Sequence, residues 1–131
     1  MEQIKYEFTV PGQPVPKPRM TRRDSGVVMR AAKISMRPQV ARYFDYVSRI
    51  KIAFLQKGIV KFDRACLTAR FFVYGNRLMD LDNLMKSIKD SMKTWLFRDD
   101  NIDVIPKYRE VEAFRVKDEN LARTEIVLED M

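Results

Sequence analysis

The stretch Asp80-Leu81-Asp82-Asn83-Leu84-Met85-Lys86 gathers two carboxylates and an ammonium, and a second acidic pair, Asp99-Asp100, follows closely. The chain around them is basic, with a formal net charge of +7. Carboxylate oxygens are the hard ligands that suit Mg²⁺, and a basic surround suits a phosphodiester backbone. Phosphodiester hydrolysis needs an activated water and relief of charge in the transition state. Carboxylates carrying one or two divalent ions supply both, and a nearby lysine neutralises developing charge. The same residues also have an ordinary structural reading. Asp at the start of a helix satisfies orphan N–H groups and complements the helix dipole. Lys86 follows Asp82 by four residues and Asp90 follows Lys86 by four, which is the spacing of solvated ion pairs on one helical face. Asp99-Asp100 fits an acidic turn. Spacing alone leaves capping and catalysis both open.

What the chain lacks narrows the chemistry. It has no histidine, which removes His-based triads, His-ligated zinc and histidine-dependent nucleases together. Acid–base work falls to Asp, Glu, Lys, Tyr or metal-bound water. Cys66 is the single cysteine; no intrachain disulfide can form, and its place before the apolar run LTARFFVY marks it as strand packing. A pI near 9.7 favours nucleic acid as partner, with an anionic membrane surface as the weaker alternative. No run reaches the roughly 20 apolar residues of a membrane span, and Met1-Glu2-Gln3 does not open a signal peptide. A cytoplasmic protein of one domain, residues 1–131, is expected.

The elements that must position these groups follow from periodicity. Ile4–Val10 alternates apolar and charged residues and predicts a half-buried strand. Pro11, Pro14, Pro16 and Pro18 then forbid regular structure, and no helix or strand is expected from Pro11 to Met36. So long an irregular segment is functional or disordered. A helix follows Pro38, with Val40, Phe44, Val47, Ile50 and Phe54 as its apolar stripe and Gly58 as its stop. Arg64–Asn76 reads as a strand. A second helix runs from about Asp82 to Phe97, with Leu84, Ile88, Met92 and Trp95 or Leu96 inward. Val104–Val116, interrupted near Pro106, and Thr124–Leu128 read as two strands joined by a turn at Lys117–Asn120. The order predicts an α+β fold, a mixed sheet with two main helices packed on it. Tyr43, Phe44, Tyr46, Phe71, Phe72 and Trp95 are read as core.

Between Lys17 and Arg37 stand Lys17, Arg19, Arg22, Arg23, Arg30, Lys33 and Arg37, against one acid, Asp24. Phosphate contact is the natural use of such an arm; the rival reading is a solubilising surface loop. Arg42, Arg49 and Lys51 are read as solvated helix residues. Aromatics do not alternate with the basic residues, so no single-strand stacking platform is expected.

The run from Asp80 to Lys107, DLDNLMKSIKDSMKTWLFRDDNIDVIPK, resembles the core signature of RusA-type Holliday-junction resolvases: Asp-x-Asp-Asn-Leu-x-Lys, an Asp four residues on, Asp-Asp, then a lysine. The segment VPGQPVPKPRM resembles that family's proline-and-basic opening, and the similarity covers about Val10 to Lys107. The resemblance implies a homodimeric endonuclease that depends on Mg²⁺, with Mn²⁺ as a substitute, and cuts four-way DNA junctions symmetrically in recombination and repair. By position it makes Asp80, Asp82 and Asp100 metal ligands and Lys86 the catalytic lysine. Asp99 is a lesser candidate, Asp90 a supporting acid, and Lys107 joins the DNA-contacting set. It also implies branched DNA as partner, no small-molecule cofactor, and a phage or prophage origin. Two departures stand out: TWLFRDD lacks an expected glycine, and Met79 occupies the place before the first Asp, where an apolar or aromatic side chain would probe DNA. The rival functions are a non-catalytic DNA- or RNA-binding protein and a small interaction protein that is basic for solubility.

Overall fold

The computed structural model describes residues 5–21, 37–58, 64–92 and 107–131. The elements are β1 (Lys5–Pro11), α1 (Pro38–Gln56), β2 (Ala65–Tyr74), α2 (Leu81–Met92), β3 (Lys107–Val116), a 3₁₀ turn (Glu119–Leu121) and β4 (Arg123–Asp130). The four strands form one sheet in the order β1-β4-β2-β3. β4 is antiparallel to both its neighbours, whereas β2 and β3 are parallel and joined through α2. This is the mixed sheet with two helices that the alternating periodicities predict. The expected second helix reached Phe97 and the expected third strand began at Val104; residues 93–97 and 104–106, Trp95 among them, lie outside the described residues.

Side-chain alternation decides which sheet face is covered. Ala65, Leu67, Ala69, Phe71 and Val73 of β2 all point one way and are buried. Ile126 and Leu128 of β4 and Val10 of β1 join them. Both helices pack on this face. From α1 come Tyr46, Ile50 and Phe54, and from α2 Leu84, Met85, Ile88 and Met92. Phe54 meets Phe8 edge to face at 4.6 Å between ring centroids. Fully burying a side chain of this size contributes about 1.5–3 kcal/mol, so these contacts, more than helix propensity, fix the helices. Cys66 is buried, as its apolar setting predicts.

The stripe expected on α1 is corrected at one place. Phe44 is only half-buried, and Tyr43 and Tyr46 are buried instead, with Val40, Val47, Ile50 and Phe54. A helix turns about 100° per residue, so a 3-4 repeat through positions 40, 43, 47, 50 and 54 stays centred on the core while position 44 drifts to its margin. The hydroxyls of the two tyrosines find polar partners: Tyr46 meets Thr124 Oγ1 of β4, and burial pushes its phenol up to about 12. Gly58 closes α1 at φ +67°, as expected of a helix stop.

Gly12, just past β1, is required by its conformation, with φ at +106°. Beside it the flexible Arg49 guanidinium donates from Nη1 to Pro11 O at 3.0 Å. The opposite sheet face carries no described helix. It is covered by ion pairs, Arg70–Glu110 at 2.6 Å and Arg109–Glu129 at 3.1 Å, and by Phe72 stacked between Phe114 and the Arg123 guanidinium.

Candidate active site and nucleic-acid interface

Asp80 stands immediately before α2 and caps it. Its backbone oxygen accepts from Leu84 N at 3.1 Å, and its Oδ1 accepts from Asp82 N at 3.1 Å. The capping reading is thus physically realised, and it uses one carboxylate oxygen of the two. Asp82 lies in the first turn, exposed, and no described residue pairs with its carboxylate. The helix N-terminus favours negative charge at both positions.

The ion-pair ladder suggested by the spacing of Asp82, Lys86 and Asp90 does not form. Lys86 Nζ donates to Asn83 Oδ1 at 3.3 Å. Asp90 turns toward α1 and the proline-rich segment, where its Oδ2 accepts from Tyr43 Oη at 2.6 Å and from Lys17 Nζ at 3.0 Å. The reason is the position of Asp90 at the edge of the buried face: its side chain is 18 % exposed, and there two donors from elsewhere replace solvent. Burial, and then the bond and charge of Asp90, push the Tyr43 phenol above the ordinary tyrosine range.

The N-terminal basic segment is consequently tied to α2. Besides the Lys17–Asp90 pair, Lys17 N donates to Asn83 O at 3.0 Å. Arg37 Nη2 donates to Arg19 O at 2.8 Å, and the Gln13 amide bonds both backbone groups of Tyr74 at 2.9 Å, capping the end of β2. Of the residues assigned to DNA from the sequence, Lys17 and Arg37 are therefore engaged within the protein, Arg19 and Lys107 are exposed, and Arg22, Arg23, Arg30 and Lys33 lie outside the described residues. Asp99 and Asp100 also lie outside them.

Two hollows flank the start of α2. One, about 600 Å³, is lined by Asp80 and Asn83 together with Arg19, Arg42 and Arg77. The other, about 410 Å³, lies between α2 and β3 and is lined by Asp82, Lys86 and Lys89 with Tyr108 and Val111. Lys89 lies over the Tyr108 ring at 5.2 Å. Asp80 and Asp82 thus share a helix end, and each lines one of the two hollows. Arg77 and Lys89 were not singled out by sequence reasoning, Arg42 was read only as a solvated helix residue, and Asn83 stood in the motif without a role. Arg77 carried a signal, standing three residues before Asp80; Arg42 is brought there by the tertiary fold and carried none. Among the described residues no group of three or more Asp, Glu, Cys or His converges as a metal cage, and no helix is long and apolar enough to cross a membrane.

A mixed sheet bearing exposed acids at a helix N-terminus, flanked by basic hollows and a proline-rich basic segment, offers a surface suited to a polyanion. The chain belongs to the RusA endodeoxyribonuclease family, whose sequence profile matches residues 11–129. It is therefore a nuclease of branched DNA, and the match extends the resemblance beyond Lys107 through β4. No curated protein matches the chain.

Proposed function

We propose that this endodeoxyribonuclease resolves four-way DNA junctions by symmetric hydrolysis, as a homodimer, with a divalent cation held by Asp80, Asp82 and Asp100. Mg²⁺ is the expected ion and Mn²⁺ a substitute. The observation that carries the reading is the pairing of Asp82, exposed and without a described partner, with Asp80, which keeps one oxygen beyond its cap. Two such carboxylates fit Mg²⁺, which binds through one or two carboxylates plus substrate phosphate oxygens rather than in a complete protein cage. When bound, the ion supplies an acidified water and charge relief at the phosphate. The protein's own part is to orient. The cap fixes Asp80, the first turn presents Asp82, and Lys86, held lightly by Asn83, carries a positive charge toward the same end of α2. Lys86 is the group assigned to the charge that develops on the scissile phosphate. Arg19, Arg22, Arg23, Arg30, Lys33 and Lys107 are assigned to the DNA backbone; Lys17 and Arg37 shape the arm that carries some of them. Such a substrate puts the enzyme's work in the cytoplasm, among the chromosomal or phage DNA.

The test is a synthetic four-way junction incubated with purified protein in Mg²⁺ and in EDTA. Paired nicks at symmetric positions in Mg²⁺ alone are expected. Binding without cutting in either condition would leave a non-catalytic junction binder and overturn the reading.

A further inference from the structure

We infer that the hollow formed by Arg19, Arg42 and Arg77 beside Asp80 is the seat of one DNA backbone phosphate next to the bond that is cut. The inference rests on the proposed junction cleavage and adds to Arg19 two residues, Arg42 and Arg77, that neither family-like segment contains.

Three observations point to an anion. First, the guanidiniums of Arg19, Arg42 and Arg77 line one hollow of about 600 Å³ and have no acceptor among the described residues. By contrast Arg37, Arg49, Arg70, Arg109, Arg115 and Arg123 each donate to a protein oxygen. Three like charges around one cavity repel one another, and an anion between them reverses the sign of that interaction. Second, the backbone under two of these arginines is pinned. Arg37 holds Arg19 O at 2.8 Å, and Arg115 holds Gly75 O at 2.7 Å and Arg77 O at 2.8 Å. Arg42 projects from α1, itself packed on the core. Preorganised loops lose less freedom when a ligand arrives. Third, the lining includes Pro16 and Pro18, whose fixed backbone angles give the hollow a stiff wall.

The geometry favours a phosphodiester over a carboxylate. A planar guanidinium fork matches two phosphate oxygens, and several forks converging on one group suit a tetrahedral anion that exposes oxygens in more than one direction. Asp80 lines the rim of the same hollow. One carboxylate there faces three guanidiniums, so the hollow is net positive with no cation bound. The proposed cation would take the scissile phosphate, so the phosphate in this hollow is its neighbour, and its role is to set the register of the strand.

The experiment compares three full-length proteins on one four-way junction in EDTA, where no cutting occurs: wild type, Arg42→Gln/Arg77→Gln, and the charge-matched Lys51→Gln/Lys57→Gln. Lys51 lies half a turn from Arg42 around α1, and all four positions are exposed, so thermal melting should be unchanged in both variants. Loss of one phosphate contact should reduce the slope of log affinity against log salt by about 0.9. Between about 50 and 200 mM salt the wild type should then lose about 3.5-fold more affinity than the arginine variant, and no more than the lysine variant. Ethylation of one phosphate within about two nucleotides of the cut should weaken the wild type and leave the arginine variant indifferent. If wild type binds and nicks the junction while the arginine variant keeps the wild-type slope and ethylation pattern, the seat is refuted and the cleavage reading stands. If wild type neither binds nor nicks junctions, both fall together.

Discussion

Asp80 divides its carboxylate between the helix and the outside, and substitutions can separate the two duties. Asn keeps an acceptor for Asp82 N, so Asp80→Asn should melt within about 0.5 kcal/mol of wild type, whereas Asp80→Ala should lose about 1 kcal/mol with the cap. Both should lose cleavage, as should Asp82→Asn, with junction binding retained because repulsion with phosphate is relieved. Melting curves beside nicking assays decide it; undiminished cutting by Asp80→Asn would remove Asp80 from the ligand set. Tyr43 and Tyr46 give a pH signature. Both phenols titrate higher in the folded protein than their free value of about 10, Tyr46 at about 12. Below pH 10 both are protonated whether folded or not, and their contribution is fully present. As pH rises past 10 the unfolded chain releases protons that the folded one keeps, so stability falls, by up to about 1.4 kcal/mol per pH unit for each phenol. Tyr43→Phe should flatten the decline in melting temperature between pH 10 and 12, and an unchanged slope would count against it.

The proline-rich segment and α2 act as one unit because Lys17, Asp90 and Tyr43 lock them together. Removing Lys17 takes away a charge-assisted bond worth about 1.5–3 kcal/mol, while Asp90 keeps its bond from Tyr43 Oη. Lys17→Met should therefore lower the melting temperature and weaken DNA binding by releasing the arm, while leaving the salt dependence of binding nearly unchanged. A reduced salt slope with unchanged melting would instead make Lys17 a direct phosphate contact. This lock also marks the limit of what sequence could reveal. The strands, both helices and the position of Asp80 at a helix start follow from local alternation, 3.6-residue periodicity and capping chemistry. Lys17 and Asp90 are 73 residues apart, and neither has a local feature that names the other. The same holds for Arg42 beside Asp80, and for the parallel pairing of β2 with β3. Periodicity reports which face of an element is buried, and it is silent about which distant element buries it.

At the scale of the molecule, the two ends of α2 belong to different ends of the sheet. Asp80 and Asp82 open the helix just beyond the C-terminal end of β2, and β3 begins with Lys107 opposite Cys66, near the N-terminal end of β2. Twelve helical residues span about 18 Å, far beyond the 2.0–2.6 Å at which oxygens ligate a metal. A broken helix, a chain that folds back after it, or a second copy would each bring Asp100 to the Asp80–Asp82 centre; we propose the last, which gives two equivalent sites related by a two-fold axis. Mixing inactive Asp82→Asn with inactive Asp100→Asn should restore nicking of one strand, because one centre of the mixed dimer is then intact. Absence of nicking despite verified subunit exchange would confine each site to one chain. The strand order carries a different consequence. β4 is wedged between β1 and β2, so β1 has no neighbour in the sheet until the last strand is in place. Chains are made from the N-terminus, and pairings between distant segments form slowly. Translation must therefore pass residue 130 before the frame that supports the arm and α2 can close. A chain stopped at residue 122 should fail to melt cooperatively and should cut nothing, which makes the arrival of β4 the event that switches on a DNA-cutting protein.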